Sequence, residues 1–509
     1  MDARTLLLAL FVASIPASAR AASSCEDLTT LRLPKAAITL AQSIEAGATV
    51  VSGAAREGDA ERPIRAPGSF CRVAATLTPS TDSDIKVELW MPLQNWNQKF
   101  QAVGNGAFSG SIAYPAMVNA LARGYATAST DTGHVGNNGR FALGHPEKLV
   151  DFGWRAVHEM TVIAKRIVAA FYEAAPRYSY WTGCSAGGRQ AMKEAQRFPE
   201  DFDGIVAGAP GLDWTGRAVQ ATRVAKALQG RESARLLEPQ RRRLHEAALQ
   251  ACDAADGLKD GLVADPERCT FDPAAVQCKG TETGQCLTPE QVETARGIYS
   301  SAVNRKTGRK MAGLMPGSEL GWTDLGWTAS ARATGLDQFR FIVIGDPNWT
   351  VDRLNLDADI TKAEDVDGGT IDALDANLKP FFDRGGKLIH YHGWSDPQIS
   401  PGNSTEYYGN VVKTLSGANP QESYRLFMAP GMGHCGGGEG PNTFDMLAAL
   451  ERWVEHGQAP DRILASHSTN GVVDRTRPLC PFPQIAVYAG TGSRDDAASF
   501  VCRQPSGQP

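Results

Sequence analysis

Gly183-Cys184-Ser185-Ala186-Gly187 fits the G-x-S-x-G pattern. There the serine sits on a sharp strand-to-helix turn, and the glycines permit both the turn and the close packing around it. A serine hydroxyl becomes a nucleophile when a base takes its proton and a third group orients that base. In α/β-hydrolases the order along the chain is serine, acid, histidine. Asp396, ending His392-Gly393-Trp394-Ser395-Asp396, and His434, within Gly431-Met432-Gly433-His434-Cys435, fit that order. Taken singly, each of the three reads as a turn or solvated loop residue; their order and placement together point to a nucleophile, a base and an acid. Of the other histidines, His134, His145, His158, His245 and His392 precede Asp396. His390 falls inside a strand pattern, His456 follows a helix pattern, and His467 lies in a polar stretch.

Those side chains need elements to hold them. Strand patterns are read at Val87–Met91, Lys99–Val103, Tyr125–Ser129, Tyr178–Thr182, Gly204–Gly208, Lys387–Tyr391 and Tyr424–Met428. Met160, Ile163, Ala164, Ile167, Val168 and Phe171 share one face of a helix over 157–173. A helix is expected from about Arg189 to Arg197, and another over Leu374–Phe382. Ser185 therefore ends a strand and precedes a helix, while Asp396 and His434 lie in loops just past strands. Strand–helix–strand alternation at this density predicts a mostly parallel sheet covered on both faces. The rhythm breaks after Leu212 and resumes near Leu374. The expected architecture is an α/β-hydrolase core from 22–212 and 376–509, with 213–375 as an insertion between two sheet strands. No solenoid-type repeat is visible.

An oxyanion hole uses the N–H of the residue after the nucleophile, Ala186, and one from an early loop past a strand. Gly104-Asn105-Gly106-Ala107 fits that place, with Ala107 favoured over Gly106.

The chain has 509 residues, a net charge of −5, 42% hydrophobic and 21% charged residues. These values fit a soluble globular protein, and the weak charge argues against nucleic acid or an anionic membrane as partner. Residues 1–21 read as a secretory signal: a short basic start, apolar Leu6–Ile15, then small residues around Ala17-Ser18-Ala19 and Ala19-Arg20-Ala21. The apolar run is too short for a stable membrane span. A secreted or periplasmic, monomeric product is expected. Ten cysteines in an exported chain predict five disulfides, and no C-x-x-C pair marks a structural zinc site. Proximity pairs Cys25–Cys71, Cys252–Cys269, Cys278–Cys286 and Cys480–Cys502, leaving Cys184 and Cys435. A Cys184–Cys435 bridge would force Ser185 and His434 into one neighbourhood.

Gly183-Cys184-Ser185-Ala186-Gly187-Gly188, Asp396 and His434-Cys435 together resemble the tannase and feruloyl esterase family. Arg197-Phe198-Pro199, Asp203-Gly204-Ile205-Val206-Ala207-Gly208-Ala209-Pro210 and Arg477-Pro478-Leu479-Cys480-Pro481 extend the resemblance over nearly the whole mature chain. It implies an α/β-hydrolase core with an inserted lid, a disulfide beside the triad, and esters of aromatic acids as substrates. Feruloyl or chlorogenic esters are favoured; galloyl esters and terephthalate monoesters, also used within the family, are the alternatives. An exported peptidase and a noncatalytic phenolic- or carbohydrate-binding protein are readings of other classes. The first lacks a peptide-binding module, and the intact Ser, Asp and His set speaks against the second.

Asp253, Asp256 and Asp260 crowd a Gly-containing loop that lacks the EF-hand glutamate, and such a loop can surround a hard cation or simply be solvated. The resemblance implies structural Ca²⁺ there, held by carboxylates of Asp253, Asp256 and Asp260 and carbonyls of Leu258 and Leu262. The reaction itself needs no cofactor. Trp214, Trp322, Trp327, Phe339, Phe341 and Trp349 in the insertion either pack an aromatic substrate or form the insertion's own core.

Overall fold

The computed structural model describes residues 24–53, 62–108, 110–280, 284–325, 334–415 and 419–505. The leader-like segment 1–21 and Trp327 lie outside these residues.

Nine strands form the central sheet: β1 Ala36–Ile44, β2 Phe70–Leu77, β3 Ile85–Pro92, β4 Lys99–Val103, β5 Ala126–Thr130, β6 Tyr178–Cys184, β7 Gly204–Gly208, β8 Lys387–Gly393 and β9 Tyr424–Ala429. Their spatial order is β1-β2-β3-β5-β4-β6-β7-β8-β9. β1, β2, β3 and β5 pair antiparallel, and every pair from β5 onward is parallel. The fold is an α/β-hydrolase fold with a mixed sheet. β1 and β2 lie in the stretch from 22 to about 80, before the first strand pattern read from the sequence.

Alternation along the strands explains why both faces are covered. Trp181, Ile205, Ala207, Leu388, Leu426 and Met428 join one buried cluster, with Met160, Ile163 and Ile167 of the helix Ala156–Tyr172. Their neighbours Tyr180, Val206, Ile389 and Phe427 point the other way, onto Leu447, Leu450 and Trp453 of the helix Met446–His456. Successive strand residues face opposite sides, so a nearly continuous apolar run is what a sheet sandwiched by helices requires.

β7 and β8 are parallel neighbours, yet residues 209–386 run between them. That connection has its own apolar cores. Trp322 packs with Leu244, Val292 and Ile298, and Phe339, Val343 and Trp349 pack with Ile360. Arg309 ties its two ends together by ion-pairing with both Asp213 and Asp372, while the Asp372 carboxylate accepts the Thr215 N–H at 2.8 Å. The helix expected over Leu374–Phe382 forms only over Lys379–Asp383. Asp375 and Asn377 bind backbone N–H groups two residues ahead, and Pro380 takes the first turn, so the preceding residues are held outside the helix.

Candidate active site

Ser185 stands at the junction of β6 and the helix Ala186–Arg197 with φ +64° and ψ −120°. A non-glycine residue is strained there, and the surroundings enforce it. Its N–H donates to the Gly208 carbonyl at 3.0 Å, while its carbonyl accepts from Arg189 N–H at 3.0 Å and Gly211 N–H at 3.1 Å. The helix thus begins at Ala186, directly after the serine. The glycines are needed because a Cβ on Gly183 would lie 2.5 Å from the Gly187 carbonyl oxygen, and one on Gly188 would lie 2.3 Å from that of Gly208. Arg189, fully buried, locks the same helix by donating to the carbonyls of Phe152, Gly153 and Ile371.

His434 arrives from the loop after β9, and Asp396 from the turn after β8. His434 Nε2 is 2.8 Å from Ser185 Oγ, and its Nδ1 is 2.7 Å from Asp396 Oδ2. Asp396 Oδ1 accepts the N–H groups of Gln398 and Ile399 at 2.8 and 3.0 Å. Burial alone would raise the Asp396 carboxyl, but the charge of His434 and hydrogen bonds from His392 and His434 hold it below the usual carboxylate range.

His392 has a position the sequence left unassigned. Fully buried, it puts Nε2 3.0 Å from Asp396 Oδ2 and Nδ1 2.7 Å from Ser404 Oγ. Ser404 Oγ also meets His390 Nε2 at 2.8 Å, and His390 Nδ1 meets Tyr424 Oη at 2.8 Å. Asp396 is therefore fixed on both sides, by His434 on one and by a buried polar chain on the other. The H-x-x-x-D spacing was the available signal, but only the turn after β8 brings the ring back onto the carboxylate.

All ten cysteines are paired as expected: Cys25–Cys71, Cys184–Cys435, Cys252–Cys269, Cys278–Cys286 and Cys480–Cys502. The Cys184–Cys435 bridge spans 251 residues with its Cα atoms 6.0 Å apart, and it ties the residue before Ser185 to the residue after His434. Five disulfides are the chemistry of an oxidising compartment.

The Gly104–Ala107 loop packs on the start of the serine helix, since a Cβ on Gly104 would meet Gly187 Cα at 2.5 Å. Gln190 Nε2 donates to Asn105 Oδ1 at 2.9 Å and holds the loop there. Ala107 has a left-handed φ of +48°. Next to it, Phe108 is buried with Phe152, Trp214, Ala186 and Ile371. Trp322, Phe339, Phe341 and Trp349 are core residues of the long connection. Among the described residues no helix is long and apolar enough to cross a membrane.

In the acidic loop, Asp260 pairs with Arg477, Asp253 accepts the N–H groups of Asp260 and Gly261, and Asp256 accepts that of Leu258. Burial and the charges of Asp260 and Asp253 push the Asp256 carboxyl up to about 6. The donor set, oxygen-rich and under-neutralised, fits a hard cation.

His245 joins the long connection to the loop carrying His434. Its Nδ1 is 2.8 Å from Glu319 and its Nε2 2.8 Å from Glu439. Burial lowers its pKa, but the hydrogen bonds and charges of the two glutamates prevail and raise it to about 9. A raised histidine stabilises the fold fully below the unfolded value of about 6.5 and loses that contribution as pH climbs through about 9. His245→Gln is therefore expected to cost on the order of 3 kcal/mol at pH 6 and little at pH 10.5. Urea unfolding at the two pH values measures it, and equal costs at both would refute the linkage.

The sequence model of a family described as "Tannase and feruloyl esterase" matches residues 71–503. The chain belongs to that family. It is 38% identical to an uncharacterized esterase of Xanthomonas campestris pv. campestris over 96% of this chain and 93% of that one. It is 35% identical to a protein named probable feruloyl esterase B-1 of Aspergillus oryzae, covering 87% of this chain and 86% of the other. Among solved structures, feruloyl esterase B from Aspergillus oryzae superposes with a TM-score of 0.87 at 33% identity, over 94% of this chain and 99% of that one. Tannin acyl hydrolase from Aspergillus niger shares the fold, with a TM-score of 0.69 at 21% identity over 92% of each chain. Family membership and this fold make the protein a carboxylic ester hydrolase of the serine type.

Proposed function

We propose that the protein hydrolyses esters of small aromatic acids, feruloyl or chlorogenic esters foremost, with Ser185, His434 and Asp396 as its catalytic residues. The observation that carries this is the unbroken contact Ser185 Oγ–His434 Nε2–His434 Nδ1–Asp396 Oδ2 at 2.8 and 2.7 Å. Ser185 Oγ attacks the ester carbonyl as its proton passes to His434. The tetrahedral oxyanion rests on the N–H groups of Ala186 and Ala107. Collapse breaks the ester C–O bond, and His434 returns the proton to the leaving alcohol. Water, deprotonated by His434, then attacks the acyl-enzyme and releases the acid and free Ser185. Asp396 keeps Nε2 facing the serine and stabilises the imidazolium. Residues 213–375 act as a lid over the core built from 22–212 and 376–509.

Initial rates on methyl ferulate, chlorogenate, methyl gallate and a terephthalate monoester test the substrate. The expected outcome is a kcat/KM at least about tenfold higher on ferulate or chlorogenate, one methylene-scale discrimination or more. Preference for gallate or for the terephthalate monoester would replace the feruloyl reading with the corresponding one.

Structural Ca²⁺ belongs to the same proposal: Asp253, Asp256 and Asp260 with the carbonyls of Leu258 and Leu262 hold the ion, which neutralises the acids and takes no part in acyl transfer. A chelator is expected to lower Tm by about 3 °C or more, calcium to restore it, and Asp256→Ala to abolish the response. Chelated but folded enzyme keeps most of its activity at low temperature. A Tm indifferent to chelator, or immediate loss of turnover with the fold intact, would each contradict this role. Export through removal of residues 1–21 is likewise proposed, and N-terminal sequencing of the exported protein checks it.

A further inference from the structure

A second metal-ligating cluster lies away from the triad. His158 comes from the helix Ala156–Tyr172, Glu194 from the far end of the serine helix, and Asp201 from the turn leading into β7. One ligand atom of each lies within 4.8 Å of those of the other two, and among the described residues no other three His, Cys, Asp or Glu side chains meet so closely. Glu194 lies nine positions after Ser185, about 13 Å along a helix axis, so the cluster is remote from the reacting atoms.

The second observation is Glu194 itself. It is 1% exposed, and neither carboxylate oxygen has a hydrogen-bond donor. The neighbouring Lys165 ammonium donates to the Asp201 backbone carbonyl. A buried carboxylate without donors is costly, and either a proton or a cation relieves it. Asp201 brings a second carboxylate, 6% exposed in its side chain, and its Oδ2 lies 2.7 Å from His158 Nδ1. The imidazole is stacked on Phe198 at 3.7 Å between centroids, which fixes its plane. Its side chain is 23% exposed, leaving an entry path and room for a water ligand.

We propose that His158, Glu194 and Asp201 bind one divalent transition-metal ion, of which Zn²⁺ is the best match, as a structural crosslink between two helices and the β7 turn. One imidazole nitrogen and two carboxylate oxygens plus water make a four-coordinate N/O site of the zinc kind. A dication opposite two carboxylates and a neutral imidazole leaves the buried cluster uncharged. Calcium, which prefers six to eight oxygens, is disfavoured here.

The test uses the whole protein with calcium in excess, so that the acidic loop does not compete. Wild type is equilibrated with micromolar zinc, passed through gel filtration, and its metal measured by mass spectrometry. About one zinc per chain is expected. Glu194→Gln, which keeps the side-chain volume, and His158→Ala are each expected to retain at least tenfold less at the same zinc concentration, with circular dichroism confirming that they fold. Wild type that retains no zinc would overturn the proposal and leave a proton shared by Glu194 and Asp201 as the relief. Equal retention by both folded variants would overturn it too, by placing the zinc elsewhere.

Discussion

Ser185→Ala is expected to lower kcat/KM on an aromatic ester by about 10⁴-fold or more while leaving the unfolding transition within about 1 kcal/mol of wild type. The size follows from what is removed. Without Oγ there is no acyl-enzyme, and only binding and the oxyanion N–H groups remain to assist water. The fold is spared because Ser185 is only partly buried and its Oγ meets His434, whereas the elbow is held by backbone hydrogen bonds to Gly208, Gly211 and Arg189. Alanine still has to adopt φ +64° at this position, so the backbone strain stays as it was. Steady-state rates and urea unfolding on the same preparation measure both quantities. Turnover within tenfold of wild type would remove Ser185 from the mechanism, and a collapsed fold would make the activity loss uninformative.

The second large effect is expected from Cys184→Ala combined with Cys435→Ala. In the chain-entropy account, a link closing 251 residues is worth about 5 kcal/mol, the largest of the five disulfides. The local consequence reaches further. Gly431, Cys435, Gly436, Gly437 and Gly438 all have positive φ, so the loop holding His434 is built from conformations with little intrinsic preference. The disulfide pins its outer end, while Asp396 and the Gly433 N–H to Gly437 carbonyl contact steady the inner part. Cutting the bridge should let Nε2 drift from Oγ, and a displacement of about 1 Å costs on the order of 10²-fold in rate. The expected pattern is a fall in kcat with KM little changed, far-UV circular dichroism preserved, and a lower urea midpoint. A double variant with wild-type kcat would show that the loop needs no tether.

Much of the site was legible because its parts are local. The elbow is a five-residue motif in which Gly183 is forced by its contact with Gly187, and Gly188 just past it is forced by the Gly208 carbonyl of the next strand. The chain order of Asp396 and His434, each just past a strand of Val, Ile, Leu or aromatic residues, follows from a parallel sheet whose loops gather at one edge. Cysteine parity and spacing gave the five disulfides. Elements with period-2 or helical apolar patterns were found close to their bounds, as at β7 and the helix Ala156–Tyr172.

What the sequence left open are relations between distant residues. β1 and β2 mix small and polar side chains with apolar ones, and they become strands because β2 pairs with β3 and β1 with β2. Leu374–Leu378 has apolar residues at helical spacing, yet the side chains of Asp375 and Asn377 claim the backbone. His392 is one histidine among nine until the turn after β8 folds its ring onto Asp396. His158, Glu194 and Asp201 carry no motif, since two helices and a turn must pack before their ligand atoms meet. The sequence by itself determined which serine, histidine and aspartate would meet and which cysteines would pair. The tertiary structure decided what surrounds each charge, because burial and hydrogen-bond partners belong to packing across the chain, which local spacing does not encode.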